Sequence, residues 1–272
     1  MKIELIISTV NMKNVSEKLN EMNLHEKGND LYITIINQCD NNCIQNISDN
    51  VTVINTISKG TGNSRNKGTF NIHKDTDIVM YTDDDVIYDR SFDDNLKALF
   101  SSNKNLEVAF FNVTSLNLDR NIKPIINEHK LSVFNSLRYG MYNMAIKADV
   151  LKNSNIWFST DFGGGSKYLT GEDSLFIYNL LKKKVKKRRL NIVAYPIELA
   201  KVNHKESTWK EKEFSIEYFI GKGALFYAMS RSKYRLYILY FALKHYKKSE
   251  FSLMRVLKIM SEGAKKYKME DM

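Results

Sequence analysis

A short apolar run that ends in three aspartates constrains this chain more than any other segment. Residues 78–82, Ile-Val-Met-Tyr-Thr, have the length and composition of a buried strand, and Asp83, Asp84 and Asp85 follow directly. Three adjacent carboxylates repel one another unless a cation or solvent compensates their charge. Ligands of open α/β sheets bind at the carboxyl ends of the strands, and hard oxygen ligands suit Mg²⁺ or Mn²⁺. The run therefore predicts a sheet strand with a metal site at its end; the alternative is an acidic turn in solvent.

Hydrophobic periodicity divides most of the chain into alternating strands and helices. Apolar runs predict strands at residues 2–7, 32–36, 51–54, 78–82, 107–113 and 192–195. Apolar residues at helical spacing predict helices at residues 15–22, 62–72, 92–100 and 172–181. Ser91 is the candidate N-cap of the third helix, residues 132–150 are expected to cross the sheet, and from Ser215 onward the pattern is helical only. This order predicts an α/β fold with a central sheet flanked by helices.

The length and composition are those of a globular protein. A chain of 272 residues, 43% of them apolar, can bury a substantial core. Cys39 and Cys43 lack the spacing and the histidine companions of a zinc site, and two thiols do not make a disulfide framework, so we expect both to be reduced. No apolar run is long enough to span a membrane, and residues 1–7 are too short and too acidic for a signal peptide. These features predict a cytoplasmic protein.

The positive charge is concentrated toward the C-terminal end. The net charge is +10, yet residues 1–181 carry 18 Lys and Arg against 22 Asp and Glu. Residues 182–189 add 7 cations, and residues 201–272 carry 16 cations against 8 acidic side chains. This excess favours an anionic partner for the C-terminal end, either phospholipid or nucleic acid.

Bulky apolar side chains, most of them aromatic, recur at helical spacing within this basic end, at Tyr234, Tyr237, Ile238 and Phe241. Two interpretations stay open. A helix lying in a membrane interface would expose these side chains and make the protein peripheral at the inner face of the plasma membrane. A helix packed on the catalytic domain would bury them.

Two further motifs accompany the acidic cluster. Residues 58–68 form a basic, glycine-bearing segment upstream of it, and Gly171-Glu172-Asp173 opens an apolar periodic stretch downstream. The three glycines at 163–165 indicate either a closely approached backbone or a plain turn. Glu172 and Asp173 fall in the first turn of a predicted helix, where carboxylates interact favourably with the helix dipole. A purely structural role for this pair therefore stays open.

A basic glycine-bearing segment, a strand that ends in Asp-x-Asp and a late Glu-Asp pair, in this order, resemble the family 2 glycosyltransferases with a GT-A fold, of the bacterial surface-polysaccharide type. The resemblance covers residues 1–205. It implies a Rossmann-like mixed central sheet flanked by helices, with residues 1–214 as the catalytic domain and residues 215–272 as a helical extension. The sequence departs from the family at residues 8–11, Ser-Thr-Val-Asn in place of Pro-Thr-Tyr-Asn, and at Asn37-Gln38, where an aspartate is common.

The resemblance implies a divalent cofactor, Mn²⁺ or Mg²⁺, bound by Asp85 and Asp83 with His204 as a further ligand. The ion would bridge the two phosphates of a nucleotide sugar and act as a Lewis acid on the leaving group. Asp83 and Asp84 would also contact the donor. A lone histidine is more often structural than a ligand, so that alternative stays open for His204.

Other residues would hold the donor by the same resemblance. Lys59 and Arg65 would add positive charge near the diphosphate, although Arg65 could instead be a solvated loop cation. Thr9, Asn37 and Gln38, at the ends of the first two strands, fall where the family holds its nucleobase. The side-chain amides could pair with a uracil edge, which favours a UDP-linked donor.

The Glu-Asp pair would perform the proton chemistry in this family. Asp173 is the candidate general base that removes the proton of the acceptor hydroxyl, and Glu172 would orient the acceptor or the sugar. A single displacement inverts the anomeric configuration. The resemblance thus implies an inverting, metal-dependent glycosyltransferase of hexosyltransferase type, which acts on a glycan or lipid-linked glycan.

Two other functions are weaker interpretations of the same residues. A nucleotidyl- or phosphotransferase could use the same metal cluster, but residues 59–68 do not match the phosphate-binding loop Gly-x-x-x-x-Gly-Lys-Ser/Thr. A non-catalytic nucleic-acid-binding protein would account for the basic end, but no recognised nucleic-acid motif accompanies it. No nucleic-acid partner is therefore expected.

Overall fold

The strand that carries the acidic cluster lies inside a mixed β-sheet. The computed structural model describes residues 1–25, 28, 30–40, 48–117, 123–185, 187–203 and 213–270. The strands are β1 (Ile3–Val10), β2 (Leu31–Gln38), β3 (Val51–Thr56), β4 (Ile78–Asp83), β5 (Val86–Tyr88), β6 (Val108–Ser115), β7 (His129–Lys130), β8 (Met144–Lys147), β9 (Lys184–Val185), β10 (Arg188–Arg189) and β11 (Ile192–Val202). The helices are α1 (Val15–Glu21), α2 (Thr61–Phe70), α3 (Phe92–Ser102), α4 (Val133–Ser136), α5 (Ala148–Ser154), α6 (Glu172–Lys182), α7 (Ile216–Met229), α8 (Tyr234–His245) and α9 (Leu253–Glu270).

The sheet combines a parallel half with an antiparallel insertion. Nine strands of the described residues follow the order β3-β2-β1-β4-β8-β6-β11-β5, with β7 paired to β11. Strands β1 to β4 run parallel, and β8 runs antiparallel between β4 and β6. The predicted mixed α/β sheet flanked by helices, with a helical C-terminal part, is confirmed.

The predicted strands and helices are all present, with ends shifted by a few residues. The largest difference is β11, which continues past Pro196 to Val202. Its pairing with β6 shifts register between Ala194 and Ala200, and such a bulge lets a strand continue past a residue that cannot donate a hydrogen bond. The predicted crossing of the sheet by residues 132–150 is confirmed by β8.

The predicted N-cap position of α3 is confirmed at Ser91, but the Ser91 side chain makes no capping hydrogen bond. Instead, the Ser91 backbone N–H and hydroxyl both donate to Oδ1 of Asp89, at 2.9 and 2.6 Å. These two bonds hold Ser91 against the Asp89 carboxylate, a charged acceptor that makes strong hydrogen bonds.

The chain divides into two compact units. The sheet unit comprises residues 1–59, 63–157 and 180–205, and the C-terminal unit comprises residues 60–62, 158–179 and 206–272. The division into a catalytic domain, residues 1–214, and a helical extension, residues 215–272, stays a prediction. Within the C-terminal unit, residues 158–179 accompany helices α7, α8 and α9.

Helices α7 and α9 of the C-terminal unit pack with their backbones in close contact. Ser215 caps α7, its hydroxyl accepting a hydrogen bond from the Tyr218 N–H at 3.2 Å. A Cβ placed on Gly223 would lie 1.9 Å from the Met260 carbonyl oxygen, and one on Gly263 would lie 2.1 Å from that of Ile220. Only glycine leaves room for this approach.

The apolar face of α8 that the sequence singles out is the packed face. Ile238 is buried, and the Tyr237 and Phe241 rings lie 6.0 and 5.5 Å from the Phe226 ring of α7. These side chains are therefore held by the C-terminal unit, and the expectation that they face a membrane is wrong for them.

The basic run of residues 182–189 ends in the β9–β10 hairpin of the sheet unit. Arg188 there donates both terminal nitrogens to the Glu107 carboxylate, at 2.8 and 3.1 Å. One cation of the basic run, Arg188, is therefore engaged in a bidentate ion pair within the protein. None of the described helices combines the length and hydropathy needed to cross a membrane.

Candidate functional site

The acidic cluster lies where the parallel half of the sheet ends. Strand β4 ends at Asp83, which pairs in register with Ser8 of the neighbouring strand β1. Asp83, Asp84 and Asp85 are each partly exposed, and the residues before them in β4 are buried. Because carboxyl ends of parallel strands share one edge, β1 and β2 bring their own last residues to the same edge of the sheet.

Arg65 is buried against the cluster. It lies on α2 with 2% of its side chain exposed, and its Nη2 donates to Oδ1 of Asp83 at 3.4 Å. The alternative of a solvated loop cation is wrong, because the segment forms a helix whose guanidinium points inward. A buried guanidinium needs a carboxylate partner, and Asp83 supplies it.

Two more side chains of the sheet unit interact with the cluster. The Thr9 hydroxyl donates to the Asp84 carboxylate. Lys18 of α1 has a raised pKa, chiefly through its hydrogen bond with Glu21 and also through the charges of Asp84 and Asp85. Lys18 was not among the sequence candidates, because its spacing along α1 indicates only an exposed helix position.

The remaining donor candidates of the sheet unit have different surroundings. Asn37 is fully buried; its Oδ1 accepts from the Met12 N–H and its Nδ2 donates to Asn55, both at 3.0 Å. The structure thus gives Asn37 a structural task, and its contact with a nucleobase stays a prediction. Gln38 is partly exposed at the end of β2, and the Lys59 side chain is exposed.

Asp85 lies beside the end of β11. Its carbonyl oxygen accepts from the Asn203 N–H at 2.9 Å, and Val86 pairs with Val202. His204, the third candidate metal ligand, lies outside the described residues.

A divalent ion fits the donor set at this edge. Among the described residues, no group of three His, Cys, Asp or Glu side chains converges as a cage. Mg²⁺ sites of this kind use one or two carboxylates and take their other oxygens from water and substrate phosphates, which Asp83 and Asp85 satisfy in ligand type. Asp83, Asp85 and the two phosphates of a donor would hold the ion.

The Glu-Asp pair opens α6 within the C-terminal unit. Glu172 and Asp173 are partly exposed in its first turn, and the Leu175 N–H donates to the Gly171 carbonyl at 2.8 Å. A Cβ placed on Gly163 would lie 2.6 Å from the Glu172 carboxyl carbon. Gly163 also has φ +107°, a conformation that L side chains rarely adopt. The first of the three glycines is therefore a close approach to Glu172 and more than a plain turn.

Lys222 is a cation that the sequence patterns did not single out. It lies partly buried on α7, with its Nζ 5.2 Å from the centre of the Tyr218 ring. Burial lowers the pKa of Lys222 to about 8, and the charges of Glu172, Glu213 and Asp173 oppose that shift. The charge of Lys222 therefore interacts with that of Asp173, the candidate base. No local pattern in the sequence predicts this interaction.

Shape alone does not locate these residues. A cleft of about 730 Å³ in the sheet unit is lined by side chains that include Lys104, Asn105, His129 and Lys130. These residues flank the amino-terminal ends of β6 and β11, whereas the acidic cluster follows the carboxyl end of β4. The candidate site is therefore defined by its chemistry and its place in the sheet.

Solved structures with the same architecture include glycosyltransferases. TarS of S. aureus, residues 1–349 with UDP-GlcNAc, aligns with 97% of this chain and 72% of its own at 13% identity and a TM-score of 0.59. Its complex with UDP gives 97% and 71%, 14% identity and a TM-score of 0.58. The mannosyltransferase PcManGT from Pyrobaculum calidifontis, with GDP-Man and Mn²⁺, aligns with 100% of this chain and 88% of its own at 9% identity and a TM-score of 0.55.

This chain shares the fold of these solved enzymes. The likeness lies in the fold and not in the sequence, since no protein-family model matches the chain and no curated protein is similar enough to match it.

Proposed function

We propose that this protein is an inverting, metal-dependent glycosyltransferase that moves a sugar from a UDP-linked donor to a hydroxyl of a glycan or lipid-linked glycan. The observation that carries the proposal is the acidic cluster at the carboxyl end of β4, paired to a buried Arg65, in a glycosyltransferase fold. The UDP-GlcNAc complex of TarS and the GDP-Man complex of PcManGT support a nucleotide-sugar donor, and the Mn²⁺ in the PcManGT complex supports a divalent ion.

The sheet unit would bind and orient the donor. Asp83 and Asp85 hold a divalent ion that, when bound, neutralises the diphosphate and makes it a better leaving group. Arg65 holds Asp83 in place, and Thr9 holds Asp84. Lys59, which is exposed, would reach the diphosphate, and Gln38, which is partly exposed at the end of β2, would reach the nucleobase.

Asp173 would move the proton. The acceptor oxygen forms a bond to the anomeric carbon while the bond from that carbon to the diphosphate oxygen breaks, and the leaving diphosphate takes the electron pair. The hydroxyl proton passes to Asp173, a transfer that contributes on the order of 10² to 10⁴ in rate. One displacement inverts the anomeric configuration. Glu172, whose carboxylate lies next to the Gly163 backbone, would orient the acceptor.

A donor screen by thermal unfolding tests this function. UDP-sugars, GDP-Man, the free nucleoside diphosphates and ATP are each added with Mn²⁺, with Mg²⁺ or with a chelator. We expect a UDP-sugar to stabilise the protein only when the metal is present; at 100 times its dissociation constant a ligand adds about 2.7 kcal/mol. Stabilisation by ATP, without stabilisation by any nucleotide sugar, would favour the phosphotransferase function instead. Activity that excess chelator leaves unchanged would refute the requirement for a metal ion.

A further inference from the structure

Helix α8 has an exposed apolar stripe on the side away from its packed face. Four large side chains are exposed there: Leu236 by 66%, Leu239 by 44%, Tyr240 by 64% and Leu243 by 54%. Their positions are i, i+3, i+4 and i+7, so they form one continuous row along the helix. Single exposed apolar residues are common on protein surfaces, but a row of four marks an interaction surface.

Cations border this stripe without any acidic residue among them. The segment from Arg231 to Ser249 contains no Asp or Glu. Its exposed basic side chains are Arg231, Lys233, Arg235, Lys244, Lys247 and Lys248. The Lys244 Nζ lies 5.8 Å from the centre of the Tyr240 ring, so the basic border directly adjoins the apolar row.

The α8 face is defined as Leu236, Leu239, Tyr240 and Leu243 with this basic border. We propose that the α8 face binds the surface of a membrane that contains anionic phospholipid. An apolar row between cations is the arrangement with which a helix lies in the membrane interface, where the apolar side chains enter the acyl boundary and the cations meet lipid phosphates. The proposal is independent of the glycosyltransferase function.

The charge pattern favours lipid over the other occupants. A second copy of the chain that docked face to face would bring two basic borders together, and like charges across an interface oppose association. A nucleic acid would satisfy the cations but would leave three leucine side chains without an apolar partner.

Vesicle co-sedimentation of the full chain tests the proposal. We expect binding to vesicles of phosphatidylglycerol mixed with phosphatidylcholine, weak binding to pure phosphatidylcholine, and a decrease with added salt. The double variant Leu239→Gln with Leu243→Gln should bind the anionic vesicles at least about tenfold more weakly, because it removes half of the apolar row. Ile126→Gln is the matched control, since Ile126 is 77% exposed and lies in the sheet unit; it should bind like the wild type.

Further measurements guard against other causes. Circular dichroism and thermal unfolding confirm that the double variant is folded, and the triple variant Lys244→Gln, Lys247→Gln, Lys248→Gln should reduce both the binding and its salt dependence. The proposal fails if the wild type does not bind anionic vesicles at low salt, or if the folded double variant binds them as tightly as the wild type. It also fails if sedimentation velocity shows a dimer that the double variant loses while no vesicle binding occurs.

Discussion

Single residues compensate the three aspartates at the end of β4. Asp83 meets the Arg65 guanidinium, Asp84 accepts from Thr9, and Lys18 adds positive charge near Asp84 and Asp85. Opposite charges and donors lower the repulsion that adjacent carboxylates would otherwise exert. The cluster therefore keeps its local structure through the protein's own contacts, and a change at one aspartate should alter ligand binding more than folding.

The substitution Asp85→Asn tests the metal site. An amide is a weaker ligand for a hard cation than a carboxylate, so Mn²⁺-dependent stabilisation by the donor should fall at least about tenfold in apparent affinity. Thermal unfolding with and without Mn²⁺ measures it. Asp94→Asn is the control, because Asp94 is an exposed aspartate of α3 in the same unit. If both variants respond to Mn²⁺ and donor like the wild type, Asp85 is not a ligand.

The substitution Asp173→Asn tests the general base. The amide cannot accept the acceptor proton, so turnover should fall at least about a hundredfold while donor binding persists. Asp149→Asn is the matched control, since Asp149 is an exposed carboxylate in the first turn of α5. If only the helix dipole matters, both variants lose similar stability and keep their turnover. Equal turnover in Asp173→Asn would move the base role to Glu172.

At the scale of secondary-structure elements, the crossing of α7 and α9 depends on two glycines. Gly223 and Gly263 each face a backbone carbonyl of the other helix at a distance that no Cβ tolerates. In contrast, a Cβ on Gly221 of α7 would meet only the Tyr168 Cβ, at an ordinary 3.8 Å. The packing therefore excludes a side chain at Gly223 and admits one at Gly221.

The pair Gly223→Ala and Gly221→Ala makes this contrast measurable. Alanine on Gly223 should destabilise the protein by about 1–3 kcal/mol, because the helices must separate to admit the methyl group. Alanine on Gly221 should stabilise it by about 0.5–1 kcal/mol through helix propensity. Urea unfolding gives both values, and a stabilising Gly223→Ala would contradict the close crossing.

At the scale of the whole molecule, the pH dependence of unfolding records which groups titrate differently in the folded and unfolded chain. His245 stacks on Phe241 with ring centres 4.3 Å apart, and among the described residues its buried Nδ1 has no hydrogen-bond partner. Burial, with a smaller contribution from the charges of Lys248, Lys244 and Lys222, lowers the pKa of His245 to about 4. In the unfolded chain the same ring titrates near 6.5.

Stability should therefore fall on acidification through this interval. Between pH 6.5 and about 4 the unfolded chain binds a proton that the folded chain does not, so the free energy of unfolding decreases as the pH falls. One proton limits the slope to about 1.4 kcal/mol per pH unit. Urea unfolding at several pH values measures this slope. His245→Phe should flatten the curve of unfolding free energy against pH, and the control His25→Gln, at an exposed histidine, should not. A curve for His245→Phe parallel to the wild type would refute the assignment.

Local patterns in the sequence are enough to predict the alternation of strands and helices and the end of the strand that bears the three aspartates. Hydrophobic periodicity depends on neighbours within one strand or one helical turn, so residues 78–82 and 172–181 show their conformation locally. The order of the acidic cluster and the Glu-Asp pair along the chain was likewise sufficient to predict the fold.

The side of each helix or strand that packs against a neighbour could not be predicted locally, because burial depends on segments distant in the chain. Arg65 is basic and lies beside glycines, yet α2 turns it onto Asp83. The sequence makes α8 apolar on nearly every side, and packing against α7 partly buries Tyr237 and Phe241 while Leu236 and Tyr240 stay in solvent. Local periodicity identifies an apolar residue, but the three-dimensional arrangement of helices determines whether it is core or surface.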